Sequence, residues 1–88
     1  MLNVYAAVWC PHCRRTIAYL EENEIEMNYI EIEEQPEDIV QKVVEANGGK
    51  DWVVPTLEFQ GQWRPGKVFD ADELESDLRE LGVIPAAG

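Results

Sequence analysis

The segment AAVWCPHCRR (residues 6–15) places two cysteines three residues apart, with a proline and the only histidine of the chain between them. The thiolate is the reactive form of cysteine, and a Cys-x-x-Cys pair supports thiol–disulfide exchange. The same spacing also occurs in half of a zinc site. Three interpretations follow: an oxidant that forms disulfides, a reductant that breaks them, or a pair of metal ligands.

The metal interpretation needs more ligands than this chain supplies. Structural zinc is held by four side chains, whereas the chain has no third cysteine and its one histidine lies inside the motif. We therefore expect no metal site within one chain, and only a site shared between two chains stays open. A purely structural disulfide between Cys10 and Cys13 would close a very short loop and stabilise little. The remaining alternative is that both cysteines are core residues that have no chemical role.

Local sequence predicts that Cys10 joins a strand to a helix. The apolar run Leu2–Val8 predicts a buried strand, and Pro11 suits the first turn of a helix, where its missing N–H costs nothing. Apolar residues then recur at i, i+4 and i+7 from Cys13 until the helix ends near Asn23. Because a helix N-terminus favours an anion, Cys10 is the expected nucleophile. Cys13, nearly one turn into the helix, is placed to attack a mixed disulfide on Cys10.

The remaining sequence predicts three more strands and two more helices from apolar periodicity and from start and stop residues. They are a strand at Met27–Glu33, a helix from Pro36 to Asn47-Gly48-Gly49, a strand, turn and return strand in Pro55–Trp63, and a helix from Asp70 to Gly82. The order β-α-β-α-β-β-α predicts an α/β thioredoxin-like fold, with a four-stranded mixed sheet (order 2-1-3-4) flanked by three helices. The length leaves room for one domain, residues 1–88.

Charge and composition exclude several classes of partner. Seven Lys and Arg against 18 Asp and Glu give a net charge of −11, whereas nucleic acid and anionic membranes bind basic surfaces. The N-terminus has no basic segment ahead of an apolar one, and no apolar run approaches the roughly 20 residues that span a bilayer. We therefore expect a cytoplasmic protein, in a compartment where a paired thiol is more often catalytic than structural.

A second signal is the segment DWVVPTLEF (residues 51–59), about 40 residues after the cysteines. A proline directly before a strand can hold a cis bond and leave the backbone groups of the preceding residue free. Those groups, at Val54 before Pro55, could bind an extended peptide as an added strand. An ordinary loop proline at a strand start is the alternative.

Together, WCPHC, VVPT and the terminal helix resemble the glutaredoxin family, and the resemblance covers essentially the whole chain. It implies that Cys10 is the nucleophile, that Cys13 resolves the mixed disulfide, and that Val54 and Pro55 contact glutathione or the substrate. It further implies a monomeric dithiol oxidoreductase without a bound cofactor, whose partners are disulfide-containing proteins. Its electrons would come from glutathione, another low-molecular-weight thiol or a reductase.

Several positions depart from the family pattern. Typical members have Lys where this chain has Ala7 and Tyr where it has His12, and their Gly-Gly-x-Asp is replaced by residues 69–72, FDAD. Asp72 keeps the acidic position and is predicted to bind a cationic amine, or else is a solvated acid favoured by the helix dipole. The segments WC, NGG and ADEL are closer to the mycoredoxin-like branch. Redoxins that serve ribonucleotide reductase are a neighbouring possibility.

The other residues of the motif are predicted to modulate the nucleophile. Pro11, His12 and Arg14 favour the thiolate of Cys10, since nearby cations and donors stabilise an anion, and Trp9 is expected to pack beside the thiol. Cys-Pro-His-Cys also occurs in a periplasmic oxidant, but that enzyme is longer and carries an inserted helical domain. We therefore predict a reductant. A binding module without turnover and an iron–sulfur carrier remain as alternatives.

Overall fold

The computed structural model describes residues 1–85, so the last three residues of the predicted domain lie outside it. Four strands and three helices follow one another as β1 (Leu2–Ala6), α1 (Pro11–Glu22), β2 (Met27–Glu31), α2 (Glu37–Ala46), β3 (Thr56–Phe59), β4 (Gln62–Arg64) and α3 (Ala71–Leu81), with a 3₁₀ turn at Ile32–Glu34. The sheet order is β2-β1-β3-β4. The predicted thioredoxin-like α/β architecture is confirmed.

The central strand β1 sets the position of the cysteine motif. It pairs in parallel with β2 along its whole length, from Leu2 opposite Met27 to Ala6 opposite Glu31. On its other side it pairs antiparallel with β3, and β3 pairs antiparallel with β4. The chain therefore leaves the middle of the sheet just before Cys10, beside the carboxyl end of β2.

The core consists of aliphatic side chains from the strands and from all three helices. The leucine, isoleucine and valine side chains that are no more than 1% exposed are Leu2, Val4, Leu20, Ile32, Val43, Leu57, Leu74 and Leu78. Burying one such side chain contributes roughly 1.5–3 kcal/mol, so these contacts fix the helices against the sheet. Tyr5 of β1 stacks on Trp63 of β4 with ring centroids 5.5 Å apart, which extends the packing across the sheet.

Two strands are shorter than the apolar pattern predicts. The strand predicted at Leu2–Val8 ends at Ala6, because side chains take up the backbone groups of Val8 in place of a neighbouring strand. The strand predicted at Met27–Glu33 ends at Glu31, where the chain turns and buries Ile32. Both differences shape the surroundings of the cysteines.

An ion-pair cluster fastens β4 to α3. Asp77 Oδ2 lies 2.9 Å from Arg64 Nε and 3.0 Å from Lys67 Nζ, and the Arg64 side chain is only 6% exposed. Burial alone raises the pKa of Asp77, but the hydrogen bonds from Arg64 and Lys67 outweigh burial and lower the pKa below its ordinary value. None of the helices in residues 1–85 has the length and apolar character needed to cross a membrane.

Candidate active site

Cys10 occupies the N-cap position of α1. Its backbone is extended, and its Sγ accepts a hydrogen bond from the Cys13 N–H at 3.2 Å. Side-chain oxygens of Ser, Thr, Asp or Asn usually fill this role. The unpaired N–H groups of a helix N-terminus favour an anion, which suits a sulfur that reacts as the thiolate. Pro11 follows as the first residue of the helix, where its missing N–H is not needed.

Cys13 is the third residue of α1, and its side chain is buried, with 1% of its surface exposed. Burial raises the pKa of the Cys13 thiol to about 12, and the hydrogen bond to the Cys10 sulfur adds to this rise. Hydrogen bonding to the Ala7 backbone lowers the pKa, and the charge of Glu31 raises it. Both cysteines are free thiols, so the site pairs a sulfur on a helix cap with a protonated thiol held out of water.

The segment that contains Val54 and Pro55 lies against the Cys10 sulfur. The peptide bond between Val54 and Pro55 is cis, and the Cys10 thiol donates to the Val54 carbonyl at 3.9 Å. Residues 44 positions apart in the sequence are thereby brought together. Because β3 begins only at Thr56, Val54 stays outside the ladder of the sheet. The structure thus brings Val54 beside Cys10, and the predicted contact of Val54 and Pro55 with glutathione or the substrate stays a prediction.

Asn47 and Gly66 hold the segment around Pro55 in place, and neither role was predicted. Asn47 Nδ2 donates to Thr56 Oγ1 at 2.9 Å, and its Oδ1 accepts from the Gly66 N–H at 2.7 Å. Thr56 Oγ1 donates in turn to the Val53 carbonyl at 2.5 Å. In the sequence, Asn47 only marks the end of a helix, and no local pattern points to its contacts 9 and 19 residues further on.

His12 faces the start of α3. Its Nδ1 accepts a hydrogen bond from the Phe69 N–H at 3.0 Å. The histidine therefore links the cysteine motif to the segment before Asp70, whose carboxylate caps α3 by accepting from the Glu73 N–H at 2.9 Å. Asp72 is exposed in the first turn of the same helix. Its predicted contact with a cationic amine stays a prediction.

The loop between β1 and Cys10 is fixed by three side chains. Glu31 Oε1 accepts from the Val8 N–H at 3.1 Å, and Arg14 Nε donates to the Val8 carbonyl at 3.1 Å. Glu33 Oε1 accepts from the indole N–H of Trp9 at 2.5 Å. Arg14 thus binds the loop backbone, and the two glutamates belong to the site. Sequence reasoning missed both, because an acidic run such as EIEE is typical of solvated surface.

Large apolar side chains are exposed in three segments of the chain. They are Val8 and Trp9 before the motif, Val53 before the cis peptide bond, and Val68 before α3, with exposures between 44% and 69%. Within residues 1–85, no group of three or more His, Cys, Asp or Glu side chains is arranged to hold a metal ion.

Comparison with known proteins gives two findings. The family model described as Glutaredoxin matches residues 2–63, which include β1, both cysteines and the Val54–Pro55 segment. The fold is similar to the crystal structure of the glutaredoxin from Archaeoglobus fulgidus, with a TM-score of 0.67 and 23% sequence identity. That similarity covers 91% of this chain and 83% of the archaeal chain. No curated protein gives a match to the sequence.

Proposed function

The chain belongs to the glutaredoxin family of thiol–disulfide oxidoreductases, and we propose that it is a dithiol member that reduces protein disulfides or mixed disulfides. The observation that carries the proposal is the arrangement of the two sulfurs. Cys10 lies on the cap of α1, where an anion is favoured. Cys13, whose pKa burial raises to about 12, stays protonated one turn further in. Cys10 is therefore suited to attack the substrate disulfide, and Cys13 to attack the mixed disulfide that forms on Cys10.

The reaction proceeds in two exchanges. The thiolate of Cys10 attacks one sulfur of the substrate disulfide, the substrate S–S bond breaks, and one substrate thiolate leaves with the electron pair. Cys13 then loses its proton and attacks the Cys10 sulfur of the mixed disulfide, which releases the second substrate thiolate. The substrate gains two electrons, and Cys10 and Cys13 end as a disulfide. The 3.2 Å contact between the Cys13 N–H and the Cys10 sulfur keeps the two residues adjacent for this second step.

The substrate backbone is proposed to bind along Val54 and Pro55. Val54 lies outside the sheet ladder and its carbonyl contacts the Cys10 sulfur, so an extended segment there presents its own disulfide to the nucleophile. The exposed Val53 and Trp9 flank this position and supply apolar contacts. Asp72 is proposed to contact a cationic group of the substrate or of the reducing thiol.

We propose that glutathione alone is a poor electron donor for this protein. Ala7 stands where typical members have a lysine, Asp70 stands in place of a glycine, and the chain carries a net charge of −11. Recognition of the glutathione carboxylates depends on charge-assisted hydrogen bonds, each of which contributes roughly 1.5–3 kcal/mol. Another low-molecular-weight thiol, or a reductase of the thioredoxin reductase type, is the proposed donor.

Two cysteine variants test the dithiol mechanism. Cys10→Ser should lose all thiol–disulfide exchange because the nucleophile is gone. Cys13→Ser should form a mixed disulfide with a protein substrate and stop there, a species that mass spectrometry detects as an added mass. If Cys13→Ser reduced protein disulfides at the wild-type rate, the two-step mechanism would be wrong. Consumption of NADPH in coupled assays with each donor tests the choice of electron source.

A further inference from the structure

Glu31 is a carboxylate held against the cysteine motif from the end of β2. It pairs with Ala6 in the sheet register, and its Oε1 accepts from the Val8 N–H at 3.1 Å and from the Tyr29 hydroxyl at 2.8 Å. Its Oε2 is buried and has no hydrogen-bond partner in the part of the chain that the structure describes. An unpaired buried acceptor costs free energy, so its presence beside a reactive site calls for a physical reason.

The surroundings of the Cys13 thiol overlap with those of the Glu31 carboxyl group. Cys13 lines a cavity of about 370 Å³ together with Ala7, Val8 and Tyr29. Two residues of this lining, Val8 and Tyr29, also bind Glu31: the Val8 N–H and the Tyr29 hydroxyl both donate to its Oε1. Thiol and carboxylate therefore share two neighbouring residues. The charge of Glu31 is also among the causes that raise the pKa of Cys13.

The other titratable groups around Cys13 are not suited to take its proton. Burial and the hydrogen bond to Glu31 raise the pKa of Tyr29 to about 12, so its hydroxyl remains a donor. Arg14 donates to the Val8 carbonyl. Cys10 is the sulfur under attack, and Glu34 is exposed on the 3₁₀ turn. Among the groups facing this site within residues 1–85, only the Glu31 carboxyl group has an acceptor atom without a hydrogen-bond partner.

We propose that Glu31 accepts the proton of Cys13 as Cys13 attacks the mixed disulfide, an inference that rests on the proposed dithiol function. The Cys13 S–H bond breaks and its proton moves to the Glu31 carboxylate. The Cys13 sulfur forms a bond to the Cys10 sulfur, the bond between Cys10 and the substrate breaks, and the substrate thiolate leaves with the electron pair. That thiolate takes up the proton in solution, which restores the carboxylate.

Dithiobis(nitrobenzoic acid), a symmetric aromatic disulfide that releases a coloured thiolate at each exchange, separates the two steps in a stopped-flow experiment. The first phase, attack by Cys10, depends on the reagent concentration. The second phase, attack by Cys13 on the mixed disulfide, does not. If the wild-type protein released only one equivalent of thiolate, the dithiol function itself would be contradicted, and this proposal with it.

Glu31→Gln removes the group that takes the proton but keeps an oxygen that accepts from the Val8 N–H. The variant therefore tests proton transfer while the loop before Cys10 stays bound to residue 31. We expect an unchanged first phase and a second phase slowed by roughly a hundredfold, within the usual contribution of general base catalysis. Glu37→Gln, the same change at an exposed position of α2, is the matched control and should leave both phases unchanged. A second phase in Glu31→Gln that equals or exceeds the wild-type rate would overturn the proposal.

The pH profile of the second phase gives an independent test that needs no folded variant. With an internal base, the wild-type rate should be nearly constant between about pH 6 and pH 8, because the proton leaves Cys13 during the attack and no thiolate has to form beforehand, while burial keeps the pKa of that thiol at about 12. Without a base, the rate would follow the thiolate fraction and rise about tenfold per pH unit. Glu31→Gln should show this steep profile. A steep profile in the wild-type protein would refute proton transfer to Glu31 even if the variant did not fold.

Discussion

Replacing Gly66 by alanine should disturb the segment proposed to bind the substrate, without touching either cysteine. A Cβ on Gly66 would lie 2.7 Å from Val53 Cβ and 2.9 Å from the Val53 carbonyl carbon, distances at which one of the two segments must move. Val53 directly precedes the Val54–Pro55 segment, and the Gly66 N–H is bound to Asn47. The added methyl group therefore presses on the backbone that lies against Cys10.

The expected loss of stability follows from two terms. Overpacking a filled site costs roughly 1–3 kcal/mol, and weakening the hydrogen bond between Gly66 and Asn47 adds roughly 1 kcal/mol. A domain of this length has a free energy of unfolding of about 4–13 kcal/mol, so a loss of roughly 2–4 kcal/mol should leave most molecules folded at room temperature. The melting temperature should fall by roughly 10–25 °C.

The assay combines thermal unfolding with steady-state reduction of a peptide disulfide. We expect Gly66→Ala to raise the Michaelis constant for the peptide as well as to lower the melting temperature, because Val53 and Val54 shift together. Gly61→Ala is the control: its φ of +86° strains an alanine, but no atom lies within 4 Å of the new methyl group. It should lose roughly 1–2 kcal/mol and keep the wild-type Michaelis constant. If Gly66→Ala matched the wild type in both measurements, the steric argument would be refuted.

Two further predictions use the charges described above. Iodoacetamide at mildly acidic pH should label Cys10 well before Cys13, whose pKa burial raises to about 12; equal labelling would contradict the assignment of roles. Asp77→Asn should lower the free energy of unfolding by about 3 kcal/mol at neutral pH, since it leaves the buried Arg64 unpaired. Because the pKa of Asp77 is lowered by its two partners, its stabilisation is complete above the unfolded value of about 3.9 and is lost as the pH falls through the folded value. Chemical unfolding from acid to neutral pH should therefore show a smaller acid-dependent loss in Asp77→Asn, and an unchanged profile would refute the ion-pair argument.

The element order was predictable because each helix is delimited by residues close to it in sequence. Pro11 begins α1 as expected, the Asp70 carboxylate caps α3, and Gly82 ends α3 with a φ of +86°. Strand ends were less predictable because distant side chains decide them. β1 ends at Ala6 since Glu31, 23 residues beyond Val8, binds the Val8 N–H.

The cysteines were predictable for the same local reason, whereas their supporting residues were not. Cys10 and Cys13 lie at one strand-to-helix junction, so sequence alone predicts both positions. Glu31 binds Val8, 23 positions away, and Asn47 binds Thr56 and Gly66, 9 and 19 positions away. No periodicity in the sequence reveals these contacts. His12 is predicted to favour the thiolate; its contact in the structure is the Phe69 N–H, 57 residues away.

The hydrogen bond between Trp9 and Glu33 fixes an intrinsic fluorophore next to the cysteine motif in the sequence. An indole next in sequence to Cys10, half exposed and fixed by a carboxylate, should change its emission when Cys10 is oxidised. Trp52 and Trp63 are partly buried against the core and contribute a steadier background. We therefore expect that the oxidation state of the two cysteines can be followed continuously by intrinsic fluorescence, without a label and without altering either thiol.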